Sequence, residues 1–395
     1  MSSSIPVLHI ITRLIVGGAQ ENTMYTAARV DSDRFRVEVI SGPQTGSEGS
    51  LIEEVGALGV PLHILPTLLR EIVPCQDLSA LYSLRRLIRA GRFAIVHTHS
   101  SKAGILGRIA ARLAGAPVIV HTVHGWSFHE HMSLHRRRLY VMLERFVARF
   151  TDAIIVVAQP DIDKGLAEGI GRAGQYHLIR SAIPLEAFDP EAVDGTAVRC
   201  ELGLPLDVPV LGNVGRFSAQ KNPLAWVEVA RRVAQAVPDV HFLLVGDGPL
   251  RAEVEAALAA AGIRERTILT GLRRDVPRLL SAIDVFLLTS LWEGLPRVIP
   301  QSLSMRVPVI ANRADGTVEA IDDGITGFLC DPGCLDSMAE ACSRLLRNPQ
   351  LRREMGRRGR ERAIQEFSLD RMVGDIEALY TDLLEQEGIR IPGSG

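Results

Sequence analysis

The chain is short of cysteine, of long apolar runs and of any excess of one charge, and each shortage removes a class of protein. Its 395 residues hold five cysteines, an odd number, and the neighbours Cys330 and Cys334 lack both metal-ligand spacing and a partner pair. Neither a disulfide framework nor a zinc module is written that way; reduced thiols in the cytoplasm fit best. No stretch approaches the roughly 20 apolar residues of a membrane-spanning helix. The opening MSSSIPVLHIITRLIVGG has no basic start, and His9, Thr12 and Arg13 interrupt its apolar run. It reads as a first strand rather than a secretory signal. With 44 Lys and Arg against 46 Asp and Glu, the net charge of −2 gives no whole-chain attraction to nucleic acid or membrane. Any basic site has to be local. No internal repeat is visible, and only the final IRIPGSG reads as disordered.

A chain of this length outgrows a single core, so two domains are expected. Short β-branched runs alternate with amphipathic segments in the first half: Val7 to Ile11, Val37 to Ser41, Leu62 to Leu65, Ile95 to His99, Val118 to Val123, Ile154 to Ala158 and Tyr176 to Ile179. A second series follows at Val210 to Val214, Val240 to Val245, Thr267 to Leu269, Val285 to Thr289, Val307 to Ala311 and Gly327 to Leu329. Continuous apolar strands separated by helices mean parallel sheets covered on both faces. The pattern predicts an α/β chain of two tandem doubly wound domains facing a cleft. Boundaries are expected at 1–190 and 209–368, with 191–208 as linker within the stretch Ile183 to Pro209, which holds four prolines and no sustained periodicity. Beyond Cys330 the pattern is helical, with arginine-rich faces from Arg344 to Arg362 that read as solvated surface. The final helix, 369–390, is expected to cross back onto the first domain.

The stretch Leu288 to Asn312, LTSLWEGLPRVIPQSLSMRVPVIAN, carries the most chemistry. Glu293 follows a buried strand at its carboxyl end, where ligands of open α/β sheets bind. Pro300 is tolerated only in a helix's first turn, which places the helix start near Arg297. Amide groups of Arg297 and Val298 would then sit beside Glu293, an acid for hydroxyls next to a cradle for phosphate. The bland reading is that Glu293 only caps the helix.

Other loops fall at strand ends as well. Val16-Gly17-Gly18-Ala19 opens a helix after the first strand; it serves either a tight turn or close backbone approach to a phosphate, and it is not the dinucleotide fingerprint. Gly215-Arg216-Phe217 with Lys221 supplies two cations suited to a departing diphosphate, or else surface charge. Gly246-Asp247-Gly248-Pro249 reads as a strand-to-helix turn capped by Asp247. Leu272, in Gly271-Leu272-Arg273, is a candidate for contact with a base edge.

Histidines concentrate in the first half: His97, His99, His121, His124, His129, His131 and His135. His97 and His99 would point the same way along a strand and could in principle hold a metal. No helical His-x-x-x-His pair and no cysteine or carboxylate partner at motif spacing accompanies them, so none is expected. His124, at the end of a strand and followed by Gly125, can meet a sugar hydroxyl or a reacting centre. The segment Leu134 to Phe150, LHRRRLYVMLERFVARF, is basic on one side and apolar on the other; it is either a domain helix or one that lies on an anionic membrane.

In this order, Gly17-Gly18, His124-Gly125, Gly215-Arg216 with Lys221, Gly246-Asp247-Gly248 and Glu293-Gly294-Leu295-Pro296 resemble the family 4 retaining glycosyltransferases of GT-B fold over nearly the full chain. The resemblance implies a nucleotide-diphosphate sugar donor held mainly by the C-terminal domain, no metal, and a glycan or lipid-linked acceptor. It implies that Arg216 and Lys221 neutralise the diphosphate and that Glu293 holds sugar hydroxyls. Arg297 and Val298 amides would meet phosphate or sugar, Gly18 would approach the diphosphate, and His124 would lie near the anomeric carbon. The family's ribose-binding glutamate, eight positions beyond the first, is here Gln301, which brings hydrogen bonds but no charge. Glu319 is the next acid nearby. Front-face attack, with the donor's phosphate taking the acceptor proton, is the implied route. A cytoplasmic protein, peripheral on the inner membrane face, is expected. A sugar-nucleotide epimerase and a non-catalytic binding protein are the other readings the residues leave open.

Overall fold

The computed structural model describes residues 4–44, 49–129 and 132–392. It divides into two compact units, one formed by Met1–Ser181 together with Leu369–Gly395 and the other by Ala182–Ser368.

In the first unit the chain runs through β1 (Ile5–Ile11), α1 (Gly18–Arg29), β2 (Phe35–Ser41), α2 (Ile52–Ala57), β3 (Leu62–Ile64) and α3 (Pro74–Gly91). It continues with β4 (Ile95–His99), α4 (Ser101–Ala114), β5 (Val118–Val123), α5 (Leu134–Ala148), β6 (Ala153–Val156), α6 (Gln159–Ala167) and β7 (Tyr176–Leu178). All pairings are parallel, in the order β3-β2-β1-β4-β5-β6-β7. Strand β1 is buried on both faces: Leu8 and Ile10 join the core with Leu84 and Ile88 of α3 and Ala103 and Ala110 of α4, while His9 takes the opposite face.

The second unit carries α7 (Gly195–Leu202), β8 (Val210–Val214), α8 (Pro223–Ala236), β9 (His241–Val245), α9 (Arg251–Ala260), β10 (Thr267–Leu269) and α10 (Val276–Ser281). Then come β11 (Val285–Leu288), α11 (Val298–Ser304), β12 (Val309–Asn312), α12 (Thr317–Ala320), β13 (Gly327–Cys330), α13 (Leu335–Arg347) and α14 (Pro349–Glu366). Its six parallel strands run β10-β9-β8-β11-β12-β13, with Trp226, Phe242, Leu258 and Met338 in its core. The last helix, α15 (Leu369–Gln386), returns to the first unit and packs on α1, with Tyr380 against Phe35.

The doubly wound architecture and the returning helix agree with expectation; the boundary does not sit where it was expected. Residues after Ser181 already bond into the second unit: Ala182 O accepts from Arg297 Nε at 3.0 Å, Phe188 O accepts from Ser304 Oγ at 2.8 Å, and Asp189 pairs with Arg360 at 2.9 Å. The stretch expected as linker contains α7, whose Arg199 reaches Asp284 at 2.7 Å and the carbonyls of Leu206 and Val208. Proline-rich composition hid a segment held by side chains from distant elements. No helix of the described residues is long and apolar enough to cross a membrane.

Candidate functional site

A parallel sheet has one place where successive crossovers leave in opposite directions, and the loops there part to leave a crevice at the strands' carboxyl ends. In the second unit that place lies between the paired strands β8 and β11. The loop after β8 supplies Gly215, Arg216 and Lys221; the loop after β11 supplies Glu293.

The two loops are stitched together. Leu291 N–H donates to Gln220 O at 2.8 Å, Gln220 Nε2 donates to Trp292 O at 2.9 Å, and Thr289 Oγ1 donates to the carbonyls of Lys221 and Asn222. The result is direct contact between Lys221 Nζ and Glu293 Oε1. Glu293 is buried while Lys221 keeps a quarter of its side chain exposed, so the carboxylate is desolvated and the ammonium remains within reach of a ligand. Asp315, whose backbone is left-handed at φ 41°, accepts the Glu293 N–H at 3.0 Å. Neither Asp315 nor Gln220 stood out in the sequence; both act on backbone groups of a loop whose course the sequence does not reveal.

Helix α11 begins at Val298 with Arg297 as its N-cap and Pro300 in the first turn, as the proline required. Glu293 therefore does not cap it. Gln301 lies on this helix, half-buried, and Glu319 is half-buried on α12. Leu272 is exposed beside β10, while its neighbour Arg273 is drawn into ion pairs with Asp275 and Glu201.

The Gly246 loop corrects the expected capping role. Helix α9 starts at Arg251 with Leu250 at its N-cap; Asp247 accepts instead from Gly248 N–H at 2.7 Å and pairs with Arg251 at 3.4 Å. Gly246 has φ 134°, and a Cβ there would stand 2.0 Å from Gly215 O. Its job is to let this loop press on the one that carries Arg216, which Phe217 N–H seals by donating to Asp247 O at 2.9 Å.

In the first unit, Gly17 is the N-cap of α1 with φ 179°, an extended backbone that any residue adopts, so the glycine pair is not needed for turn geometry. Gly18, the first helical residue, is exposed. His124 follows β5 and is half-buried, its Nε2 lying 3.2 Å from His99 Nδ1. His99 belongs to a buried set. His9 Nδ1 meets His99 Nε2 at 2.9 Å; His97 Nδ1 meets Tyr380 Oη at 2.6 Å, and its Nε2 meets Thr122 Oγ1 at 2.6 Å. Burial holds these rings neutral: His9 falls from 6.5 to about 3, and His97 and His99 fall well below their ordinary value, with neighbouring histidines adding to the effect. His9, His97 and His99 offer nitrogen atoms within 4.8 Å of one another, a conceivable ligand trio. Their ring nitrogens are already committed to hydrogen bonds that a cation would have to break. Of the other histidines named from the sequence, His121 bonds Thr98 on the opposite face, and His131 lies outside the described residues.

Helix α5 corrects the reading of its faces. Val141, Glu144, Val147 and Ala148 point inward, with Glu144 paired to the buried Arg108 at 2.6 Å. Leu139, Met142 and Phe146 point outward beside Arg138, Arg145 and Arg149. Apolar and basic residues thus share the exposed side.

Comparison with known proteins identifies the family and the fold. Residues 17–182 match the family described as Glycosyl transferase 4-like domain, and residues 196–362 match Glycosyl transferases group 1. The chain is 33% identical over 388 residues to the UDP-Gal:alpha-D-GlcNAc-diphosphoundecaprenol alpha-1,3-galactosyltransferase of Escherichia coli, covering 97% of this chain and 98% of that protein. It is 30% identical over 296 residues to the 2-deoxystreptamine glucosyltransferase of Streptomyces kanamyceticus, covering 72% and 75%. The fold matches Anabaena HepE, solved in complex with UDP and glucose, with a TM-score of 0.83 at 22% identity over 96% of this chain and 100% of that one. With both halves of the chain matched and a full-length relative at this identity, the protein is a glycosyltransferase and belongs to the group 1, GT4-type glycosyl transferases of GT-B fold.

Proposed function

We propose that the enzyme moves a hexose-type sugar from a UDP- or GDP-linked donor to a glycan or lipid-linked acceptor in cell-surface polysaccharide synthesis, with retention at the anomeric carbon and without a metal. The contact between Lys221 and Glu293 at the strand switch carries this reading. Transfer leaves negative charge on a diphosphate and requires the sugar to be held by its hydroxyls; a partly exposed cation touching a buried carboxylate serves both needs at one place. Arg216, exposed on the same loop, is the second cation for the diphosphate. The amides of Arg297 and Val298 and the backbone at Gly17, Gly18 and Gly215 meet phosphate or sugar, Leu272 meets the base, Gln301 the ribose, and His124 the donor sugar. These cations do the work a metal would do elsewhere. Retention follows from front-face attack, in which the donor's phosphate accepts the acceptor proton.

The acceptor reading is supported by the relative named for a GlcNAc-diphosphoundecaprenol acceptor and by the exposed side of α5. A helix presenting Leu139, Met142 and Phe146 among arginines suits an anionic lipid surface, which would hold the protein on the cytoplasmic face of a membrane.

A ligand of the native state raises its melting temperature, so UDP- and GDP-sugars are the first screen. One of the two sets is expected to shift the melt. If neither does, the donor reading fails. UDP-galactose with a GlcNAc-diphospholipid is the first pair to assay, with the product anomer read by NMR; inversion would refute front-face transfer, and loss of turnover in EDTA would refute metal independence. Flotation with phosphatidylglycerol vesicles at low salt checks the membrane contact, which complete absence from the lipid fraction would sink.

A further inference from the structure

The buried histidines form one continuous chain of hydrogen bonds that reaches His124. Strand register builds it: His9 of β1 stands opposite His97 of β4, and His99 stands opposite Thr122 of β5. Alternation then puts His9, His97, His99 and Thr122 on one face, which Tyr380 of α15 joins. The links run from Thr122 Oγ1 to His97 Nε2 at 2.6 Å, His97 Nδ1 to Tyr380 Oη at 2.6 Å and Tyr380 Oη to His9 Nε2 at 3.3 Å. They continue from His9 Nδ1 to His99 Nε2 at 2.9 Å and from His99 Nδ1 to His124 Nε2 at 3.2 Å.

We propose that His9, His97, His99 and Tyr380 are positioning residues that lock which ring nitrogen of His124 carries its proton.

The argument is a proton count. Each link needs one hydrogen, a neutral imidazole has one N–H and one bare nitrogen, and a phenol donates once. Across each imidazole the donor at one link dictates the donor at the next, but the Tyr380 oxygen can accept from both His97 and His9, so three orders fill every link and the stranded hydrogens decide between them. In the first, Thr122 donates to His97, His97 to Tyr380, Tyr380 to His9, His9 to His99 and His99 to His124 Nε2, so the His124 proton is on Nδ1. In the second every bond is reversed and His124 donates from Nε2, which leaves the hydrogen of the buried Thr122 hydroxyl with no acceptor among the described residues, and in the third Tyr380 accepts from both rings and its own hydrogen is stranded; only the first pairs every hydrogen. A mixed order leaves a buried donor or acceptor unpaired, which is costly. Burial keeps the inner rings neutral, so a state with an extra proton is suppressed as well. The column is a lock and not a proton conduit: a proton passed along it would have to start or end on Thr122, whose hydroxyl is too weak an acid and base for that.

The importance of the lock for transfer rests on the proposed contact of His124 with the donor sugar; the lock itself does not. The test is 15N-histidine NMR on the full chain, with His124 assigned through His124→Gln, in wild type and in Tyr380→Phe and His9→Gln. Wild-type His124 is expected to show a single tautomer, and at least one variant to show a mixture or the opposite form. A wild-type mixture, or an unchanged His124 pattern in both folded variants, overturns the proposal. In a variant whose tautomer shifts, kcat is expected to fall about tenfold, the population change that one lost hydrogen bond produces, with donor KM unchanged. A shifted tautomer with unchanged kcat keeps the lock and removes His124 from the proposed transfer step.

Discussion

At the scale of single residues, the site depends on pairs whose members are useless alone. Glu293 is buried beside Lys221, so Lys221→Ala removes both the cation proposed for the diphosphate and the partner of a buried carboxylate. We expect kcat/KM to fall by roughly 10²- to 10³-fold, the scale for losing a group that stabilises developing charge. Steady-state kinetics with the donor found by thermal shift checks this, and a change of less than about threefold would remove Lys221 from the chemistry. Gly246→Ala is a different experiment, because the added methyl meets Gly215 O across a 2.0 Å gap at φ 134°. The loop carrying Arg216 has to retreat, so we expect weaker nucleotide binding in calorimetry together with a stability loss of about 1–3 kcal/mol in urea titration. Both positions were recognisable in the sequence as residue types at strand ends. The loop partners Gln220 and Asp315 were not, because a hydrogen bond between loops far apart in sequence leaves no periodic trace.

At the scale of elements, helix α5 shows why a face cannot be read from composition alone. The sequence suggests arginines on one side and apolar residues on the other; in the fold Glu144 takes the inner side, and Leu134, Leu139, Met142 and Phe146 take the outer. A charge inside is permissible because Arg108 of α4, itself fully buried, meets it at 2.6 Å. Removing one member leaves the other desolvated, so Arg108→Met is expected to cost about 3–5 kcal/mol, and the double change with Glu144→Leu much less. Urea unfolding of both single variants and the double variant checks this; a double loss equal to the sum of the single losses would mean that the pair is not coupled. Helix α14 corrects a second surface expectation. Arg357 and Arg358 do pair locally with Glu354 on the solvent side, but Arg360 reaches Asp189 and Ser304 O, and Arg362 reaches Asp322. These last two arginines tie the helix to α11 and to loops of its own unit.

At the scale of the whole molecule, the histidine column makes stability depend on pH. The folded rings sit below the unfolded value of 6.5, His9 at about 3, so below 6.5 the unfolded chain binds more protons than the native one. Stability is complete above that value and falls as pH drops from 6.5 toward about 3. For His9 the loss is expected to reach about 1.4 kcal/mol for each pH unit across that window, and His97 and His99 add to it in the same direction. Melting at pH 7.5, 6.5 and 5.5 checks it; equal stability at all three would show that these rings take up protons in the native state as readily as in the unfolded chain. The column draws on β1, β4, β5 and the last helix α15, so its pH dependence reports on the whole first unit, including its discontinuous part.

The amino-acid order by itself determined the strands, their parallel arrangement, the loops that carry chemistry and the start of α11 at Pro300. Hydrophobic period and backbone restriction are local properties, and they survive without the fold. Only the tertiary structure decided that residues after Ser181 belong to the second unit, that Glu293 touches Lys221, and that His9 and Tyr380 extend a chain from His124. Each of these joins groups far apart in sequence through a single hydrogen bond or ion pair. Such contacts depend on strand order, register and crossover, which a period of hydrophobicity does not encode.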